Sequence, residues 1–210
     1  IIEGLGKPPY FIHNVWVKKY PCCFETHRIV DALLILMREH KLSSQDITSV
    51  EVHAGPIDAT CDRPEPKDTE DSKFSFQHVL ASIMLEGDIG MDTFTDEKLK
   101  DPKFREARAK VKVITHTEWP NEELSGVGRV TVTLRNGRSL TKEMKQSIGG
   151  TELPLTTEDV VALYRKYAGM VLAEKQTERT KDMILQLDKA NDVMELMDIL
   201  TYRHAARIEE

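Results

Sequence analysis

An alternating segment in the second half of the chain limits the fold most strongly. In "GVGRVTVTLRNGRSLTKEM" (residues 126–144) apolar side chains occupy every second position from Val130 to Leu134, which is the period of a β-strand with one buried face. The pair that follows, Asn136 and Gly137, is favoured in two-residue hairpin turns. The segment therefore predicts an antiparallel hairpin whose apolar face needs a covering layer.

Helical patterns earlier in the chain supply that layer. Residues 23–40 and the segment "KFSFQHVLASIMLEGD" (residues 73–88) repeat apolar side chains every three or four positions, which predicts two amphipathic helices. Pro21 suits the start of the first helix, and Gly87 or Gly90 suits the end of the second.

Further strands are predicted around these helices. "ITSVEVHA" (residues 47–54) alternates apolar and polar residues, and "KVKVITHTEW" (residues 110–119) is a second clear β signal. "NVWVKKY" (residues 14–20) alternates weakly and is interpreted as a short strand. The order helix, strand, helices, strand and hairpin predicts the α+β class, a small, mostly antiparallel sheet with helices packed on one face.

The pattern changes beyond the hairpin. Thr156 and Asp159 form a predicted helix cap, and one or two more helical stripes follow without any strand. Such helices cannot bury their apolar stripes alone, so they must pack on this domain, on another copy or on a further helical domain. We therefore predict a connector at 1–13, an α+β domain at 14–150 and a C-terminal helical segment at 151–210.

Charge and composition argue against several classes of protein. The formal net charge of -6 argues against nucleic acid as a main partner, because duplex binding needs a basic surface. No apolar run approaches the roughly 20 residues of a membrane-spanning helix. Three cysteines do not make a disulfide framework, so a reducing, cytoplasmic compartment is predicted. The first residues resemble neither a signal peptide nor a natural start, so we expect a piece of a longer protein.

One stretch, "KKYPCCFETH" (residues 18–27), concentrates chemically active side chains. Its adjacent cysteines and its histidine do not match the paired spacings of zinc sites, so no metal site is predicted. Four cations surround the predicted helix start: Lys18, Lys19, His27 and Arg28. The N–H groups of a helix start favour an anion, so the cluster is consistent with a carboxylate or phosphate site, or else with a cationic surface patch.

Two polar residues begin the second predicted helix. Taken alone, His78 has the position of a packed or half-exposed histidine more often than of a catalytic one. Ser75 is interpreted as the hydroxyl that begins the helix.

Three strings of the sequence together point to a known family. "KKYPCCFETH", "DSKFSFQHVLASIMLEGD" and "GGTELPLTTEDV" occur in this order, and with them the chain resembles the MmgE/PrpD family over nearly its whole length. The stretches K-x-Y-P-x-C-x-x-x-H and K-F-S-F-Q are specific as a pair. The resemblance implies a C-terminal half, with an inserted α+β lid at 14–150 and final helices that belong with an all-helical domain outside the chain.

The resemblance also implies a site. Lys18 matches the lysine of the K-x-[YF]-P motif that lines the active site in this family, and Lys18 and His78 are predicted to be catalytic. Cys23, His27 and Ser75 are predicted to bind the substrate. Cys23 falls where a relative carries an active-site histidine, which leaves its acid–base role open. His78 falls where decarboxylase relatives carry a tyrosine, a mild point against decarboxylation.

The activity that the resemblance implies is that of a lyase without metal or organic cofactor, acting on a small polycarboxylate. Dehydration of a 2-methylcitrate-type substrate, as in propionate metabolism, is the leading expectation. Decarboxylation, epimerisation and a non-catalytic dimerisation or interaction module are the alternatives. The expected partners are the substrate, an N-terminal helical domain of the same protein and a second copy in a homodimer, with no nucleic acid and no membrane.

Overall fold

The computed structural model describes residues 4, 6–8, 10–119 and 126–201, with the backbone alone described at Phe11 and His13. The chain divides into two compact units, Ile1–Pro154 and Leu155–Glu210, and each is described by itself. The predicted division into connector, lid and C-terminal segment stays a prediction, and parts of the connector lie outside the described residues.

A four-stranded sheet forms the centre of the first unit. Its strands are β1 (Ile47–Ala54), β2 (Val111–Thr115), β3 (Gly128–Leu134) and β4 (Ser139–Met144). They lie in the order β2-β1-β3-β4, in which β1 is parallel to β2 and the other two pairings are antiparallel. The predicted α+β class and mostly antiparallel sheet are confirmed.

The alternating pattern of the sequence sets the two faces of this sheet. Val50 lies opposite Val111 of β2 and Val132 of β3, and all three side chains are buried. Glu51 and Thr131 pair with each other on the opposite face, which is partly exposed. Because burying a large aliphatic side chain contributes about 1.5–3 kcal/mol, a slip of one residue, which would expose the apolar face, is strongly disfavoured.

Helices cover the apolar face. The long helices are α1 (His27–Glu39), which packs on β3 and β4, and α3 (Phe76–Glu86), which packs on α1 and β2. The short helices are α2 (Thr69–Ser72), α4 (Asp96–Lys100) and α5 (Pro102–Ala109). A 3-10 turn at Phe24–Thr26 leads into α1. As predicted, α3 ends at Gly87, whose φ of 76° lies in the left-handed region that glycine adopts without strain.

The predicted strand at residues 14–20 is wrong. A 3-10 turn at Phe11–Asn14 precedes this stretch, and its Val17 N–H donates to the carbonyl oxygen of Gly149 at 2.9 Å outside any strand ladder of the described residues. The Trp16 ring packs edge-on against Phe24 with the ring centroids 5.0 Å apart. The weak two-residue period favours a strand only slightly, and the packing of Trp16 against Phe24 at the start of α1 outweighs that preference.

The turn between β3 and β4 also differs from the two-residue prediction. The N–H of Gly137 donates to the carbonyl of Leu134 at 2.9 Å, and the N–H of Leu134 donates to the carbonyl of Arg138 at 2.8 Å. Gly137 has a φ of 80°, whereas Asn136 is not among the described residues with positive φ. A two-residue Asn-Gly turn needs positive φ at both positions, so this turn is closed instead by a glycine bulge.

The second unit contains the helices α6 (Thr157–Ala168), α7 (Glu174–Leu185) and α8 (Met194–Leu200). The cap of α6 is the predicted one, since Thr156 and Asp159 each accept a hydrogen bond from the backbone N–H of the other, at 3.1 and 3.0 Å. Many large apolar side chains of this unit are exposed: Val160, Met170, Val171, Ile184, Leu185, Leu187, Val193, Met194, Met197 and Leu200.

Candidate functional site

A buried carboxylate anchors the segment that carries Lys18. Asp31 of α1 accepts hydrogen bonds from the Tyr20 hydroxyl at 2.7 Å, from Lys19 Nζ at 3.2 Å and from the backbone N–H of Ile148 at 3.1 Å. Burial, with the charge of Asp31, raises the pKa of Tyr20 far above its ordinary value, so the hydroxyl stays a donor. The donors of Tyr20 and Lys19 hold the K-x-Y-P segment against α1, and the N–H of Ile148 holds the loop after β4 against the same carboxylate.

Lys18 is the exposed member of the predicted cation cluster. Lys19 pairs with Asp31 at 3.2 Å, and Arg28 is buried against Asp58 at 2.6 Å. Lys18 itself is exposed and makes no ion pair or hydrogen bond with the residues that the structure describes. The predicted cluster therefore does not form one cationic surface, because two of its charges are neutralised inside the protein.

The buried Arg28 centres a cluster that sequence reasoning missed. Arg28 Nη2 lies 2.6 Å from both carboxylate oxygens of Asp58 and 3.5 Å from Glu25 Oε2. Burial, together with Asp58, raises the pKa of Glu25 to about 8, so this carboxyl keeps its proton at neutral pH. Asp58 is 30 residues away from Arg28 in the chain, and no local spacing signals such a pair.

The two adjacent thiols have opposite chemistry. Cys22 is buried with its Sγ 3.1 Å from Thr26 Oγ1, and burial raises its pKa to about 12. Cys23 is half-buried, and a hydrogen bond from the Cys61 thiol, with a smaller contribution from the Lys18 charge, lowers its pKa to about 6. The lowered pKa favours the thiolate form of the predicted site residue Cys23, which lies near the Lys18 ammonium.

The fold brings the two family motifs together. The N–H of Cys23 donates to the carbonyl of Lys73 at 2.9 Å, which ties the first motif to the second just before α3. Ser75 then caps α3: its Oγ accepts from the N–H of His78 at 3.0 Å and donates to the carbonyl of Arg63 at 2.6 Å. The interpretation of Ser75 as a helix-start hydroxyl is confirmed, and its role in substrate binding stays a prediction.

His78 lies inside the core between α3 and α5. Its Nε2 is 2.9 Å from the carbonyl of Thr93 and its Nδ1 is 3.4 Å from Arg108 Nη1, so both ring nitrogens have partners. The ring packs against Phe94 and Phe104, and burial lowers its pKa. A catalytic role for His78 stays a prediction, and the described contacts favour a neutral histidine that supports α3.

His27 is also enclosed. Its ring stacks on Phe24 with centroids 4.6 Å apart and meets Tyr20 edge-on at 5.1 Å. Burial, with the nearby Lys18 charge, lowers its pKa to about 3, so the ring is neutral under ordinary conditions. His27 therefore packs beneath the motif, against Tyr20 and Phe24. Its direct contact with a substrate stays a prediction.

The neutral state of His27 gives the folded protein a pH dependence. The pKa falls from 6.5 to about 3 on folding, so the stabilisation is present above pH 6.5 and is lost as the pH falls towards 3. Between pH 7.5 and 5.5 this residue should lower the free energy of unfolding by about 1.4 kcal/mol. Urea denaturation of wild type and of His27→Phe at several pH values measures how steeply the free energy of unfolding changes with pH in each protein. The prediction is contradicted if the free energy of unfolding falls equally between pH 7.5 and 5.5 in wild type and in His27→Phe.

Other features of the described residues add no further chemistry to this site. No three His, Cys, Asp or Glu side chains in the described ranges are placed to hold a metal ion. In the same ranges, every helix is too short or too polar to cross a bilayer. A cavity of about 570 Å³ lies elsewhere, beside Pro64, Glu65 and Arg105, and no predicted site residue lines it. Cytoplasmic location and independence from cofactors stay predictions.

Comparison with known proteins adds the following findings. A sequence profile described as "MmgE/PrpD C-terminal domain" matches residues 20–189. The cis-aconitate decarboxylase of Homo sapiens is 26% identical over 195 residues, which cover 89% of this chain and 40% of that protein. That of Aspergillus terreus (strain NIH 2624 / FGSC A1156) is 26% identical over 221 residues, which cover 95% of this chain and 43% of that protein. The chain thus spans about two fifths of the length of these relatives.

Proposed function

The chain belongs to the MmgE/PrpD family, and from that membership we propose that it supplies the lid of a cofactor-independent lyase for small polycarboxylates. The relatives named cis-aconitate decarboxylase support a tricarboxylate as the class of substrate. In this proposal the catalytic unit also contains an N-terminal helical domain of the same protein, and two copies assemble as a dimer.

The observation that carries the proposal is the exposed ammonium of Lys18. Tyr20 and Lys19, both bonded to Asp31, hold its segment in place, and no carboxylate among the described residues pairs with Lys18. A substrate carboxylate would supply that counter-ion through a charge-assisted hydrogen bond. Lys19 and Arg28 cannot do the same, because their charges are already paired.

The chemistry of such a site follows from its two charged groups. Elimination from a hydroxy-polycarboxylate removes a proton next to a carboxylate and releases water, so negative charge develops beside that carboxylate. Lys18 would offset this charge, and the Cys23 thiolate, at the position of a histidine in a relative, has a pKa suited to accepting a proton. Closure of the lid over the helical domain would exclude water from the site.

We propose dehydration of a 2-methylcitrate-type substrate as the reaction. Decarboxylation is the second candidate, because the similar curated proteins carry that name. A third candidate, a non-catalytic interaction module, is favoured by the exposed apolar side chains of the second unit, such as Met194 and Met197.

A substrate panel tests the proposed function. The natural protein that contains this chain should convert 2-methylcitrate with loss of water. The ultraviolet absorbance of the product alkene measures this reaction. Incubation with cis-aconitate, with release of CO2 measured, tests the second candidate. The 210-residue chain alone should show neither reaction, since the partner domain is needed for a complete site. Absence of turnover by the natural protein on every small polycarboxylate would overturn the proposal in favour of the interaction module.

A further inference from the structure

The two buried arginines of the described residues have different electrostatic surroundings. Arg28 is 1% exposed and lies 2.6 Å from the carboxylate oxygens of Asp58, so its charge is neutralised inside the protein. Arg108 of α5 is 7% exposed, and no carboxylate in the described ranges lies within ion-pair distance of its guanidinium. Because a buried cation without a counter-ion is costly, the surroundings of Arg108 favour the binding of an anion.

The contacts that Arg108 does make are with neutral groups. Its Nη2 donates to the carbonyl of Leu99 at 3.1 Å, and its Nη1 lies 3.4 Å from Nδ1 of His78. Since the carbonyl of Thr93 can only accept, the His78 Nε2 that lies 2.9 Å from it carries the ring proton, and Nδ1 is left as an acceptor for Arg108. These contacts fix the orientation of the guanidinium and leave its positive charge in place.

A second cation lies beside Arg108 on α5. Arg105 precedes it by three residues, a spacing that places two side chains next to each other on one face of a helix. Arg105 is exposed, and no carboxylate of the described residues pairs with it. Burial, with the neighbouring Arg105 charge, lowers the pKa of Arg108. An anion between the two guanidinium groups would relieve their mutual repulsion.

Both arginines line one cavity of about 570 Å³. A volume in this range suits a ligand of metabolite size. Pro64, Leu99 and Val111 give the cavity apolar walls, on which the carbon skeleton of an organic anion can pack. Glu65 also lines the cavity, but it is exposed and lies beyond ion-pair distance of both guanidinium groups, so it offsets the charge of Arg108 only in part. The lining thus combines two cations and one carboxylate with apolar walls.

We propose that this cavity binds a small organic oxyanion, a phosphate ester or a carboxylate, between Arg105 and Arg108. A guanidinium presents two parallel N–H groups that match two oxygens of either anion, and such charge-assisted hydrogen bonds are stronger than neutral ones. Arg108, held by Leu99 and His78, supplies a fixed charge, and the exposed Arg105 supplies one that can close on the ligand. The site does not rest on the proposed lyase activity.

Arginine modification, mapped residue by residue, tests the proposal. The natural protein that contains this chain is treated with phenylglyoxal, which reacts with accessible guanidinium groups, and modified residues are identified by mass spectrometry. Inorganic phosphate and citrate are added in separate series, with sodium chloride keeping the ionic strength constant. At saturation the bound anion should slow modification of Arg105 at least about fivefold and leave that of the exposed Arg138 unchanged. The series that protects at the lower concentration identifies phosphate or carboxylate as the preferred group.

Three variants locate the protecting anion. Glu65→Gln removes the carboxylate from the cavity lining and should lower the anion concentration that half-protects Arg105 by about two- to fivefold. Glu152→Gln removes an equal charge from an exposed position outside the lining and should leave that concentration unchanged. Lys18→Ala should leave it unchanged as well, because Lys18 does not line the cavity.

The proposal is overturned if neither anion protects Arg105 more than Arg138, or if Glu65→Gln and Glu152→Gln require equal anion concentrations. Loss of protection in Lys18→Ala would also overturn it, because the anion would then act through the candidate site. Wild-type protein alone gives the first of these results, so the test does not depend on the folding of any variant. The proposed function fails on the substrate panel and this proposal fails on the protection of Arg105, so the two failures are distinguishable.

Discussion

Replacing Arg28 with methionine is expected to lower the free energy of unfolding by about 3–5 kcal/mol, because it leaves the Asp58 carboxylate buried without its cation. The Arg28 side chain is 1% exposed and that of Asp58 is 5% exposed, with 2.6 Å between Nη2 and the carboxylate oxygens. Desolvation of an unpaired charge at this depth costs far more than the lost contact itself. Chemical denaturation measures this loss of stability as a shift in the denaturant midpoint, with the dependence of the free energy of unfolding on denaturant concentration unchanged.

A matched pair on the second unit provides the control. Arg165 also lies 2.6 Å from a carboxylate oxygen, that of Glu178, but both side chains are well exposed. Arg165→Met should therefore change stability little, since exposed ion pairs are screened by water. The double variant Arg28→Met with Asp58→Leu should recover most of the loss, because it removes both buried charges together. Equal losses in Arg28→Met and Arg165→Met would contradict the argument from burial.

The sheet could be predicted from sequence because its signals are local. Val50, Val130 and Val132 belong to strands whose two-residue period is visible in the chain, and the structure buries all three. The hairpin turn was less predictable, since Asn136-Gly137 suits more than one turn and the chosen one depends on the pairing of Leu134 with Arg138. Local propensity indicates that a turn exists and leaves its type to tertiary contacts.

The site was predictable only in part for a similar reason. The motif predicts Lys18 as a site residue. No spacing in the sequence shows that Lys19 pairs with Asp31, or that Arg28 pairs with Asp58. A histidine in a family motif also carries no sign of its burial, and the structure encloses both His27 and His78. Long-range charge pairing, which sequence does not display, decides which cation remains accessible.

Replacing Lys18 with alanine in the natural full-length protein is expected to remove about 2–3 kcal/mol of transition-state stabilisation, which lowers kcat/KM roughly 30- to 150-fold. The ammonium is exposed and no carboxylate among the described residues pairs with it, so its removal should leave stability nearly unchanged. A selective loss of rate without a loss of stability distinguishes a group that contacts substrate from one that holds the fold. Steady-state kinetics on the substrate that the panel identifies, with a denaturation curve for each variant, makes the measurement.

Two further variants distinguish the effect of a positive charge in general from the effect of its position at residue 18. Lys18→Arg keeps the positive charge and should retain part of the activity, although its planar guanidinium does not reproduce the point charge of an ammonium. Lys112→Ala removes an equal charge from an exposed position on β2 and should leave kcat/KM at the wild-type value. If Lys18→Ala matches Lys112→Ala on every substrate that the enzyme turns over, Lys18 does not belong to the site. The exposed ammonium would then be an ordinary surface charge, because a cation that neutralises developing charge cannot be removed without slowing the reaction.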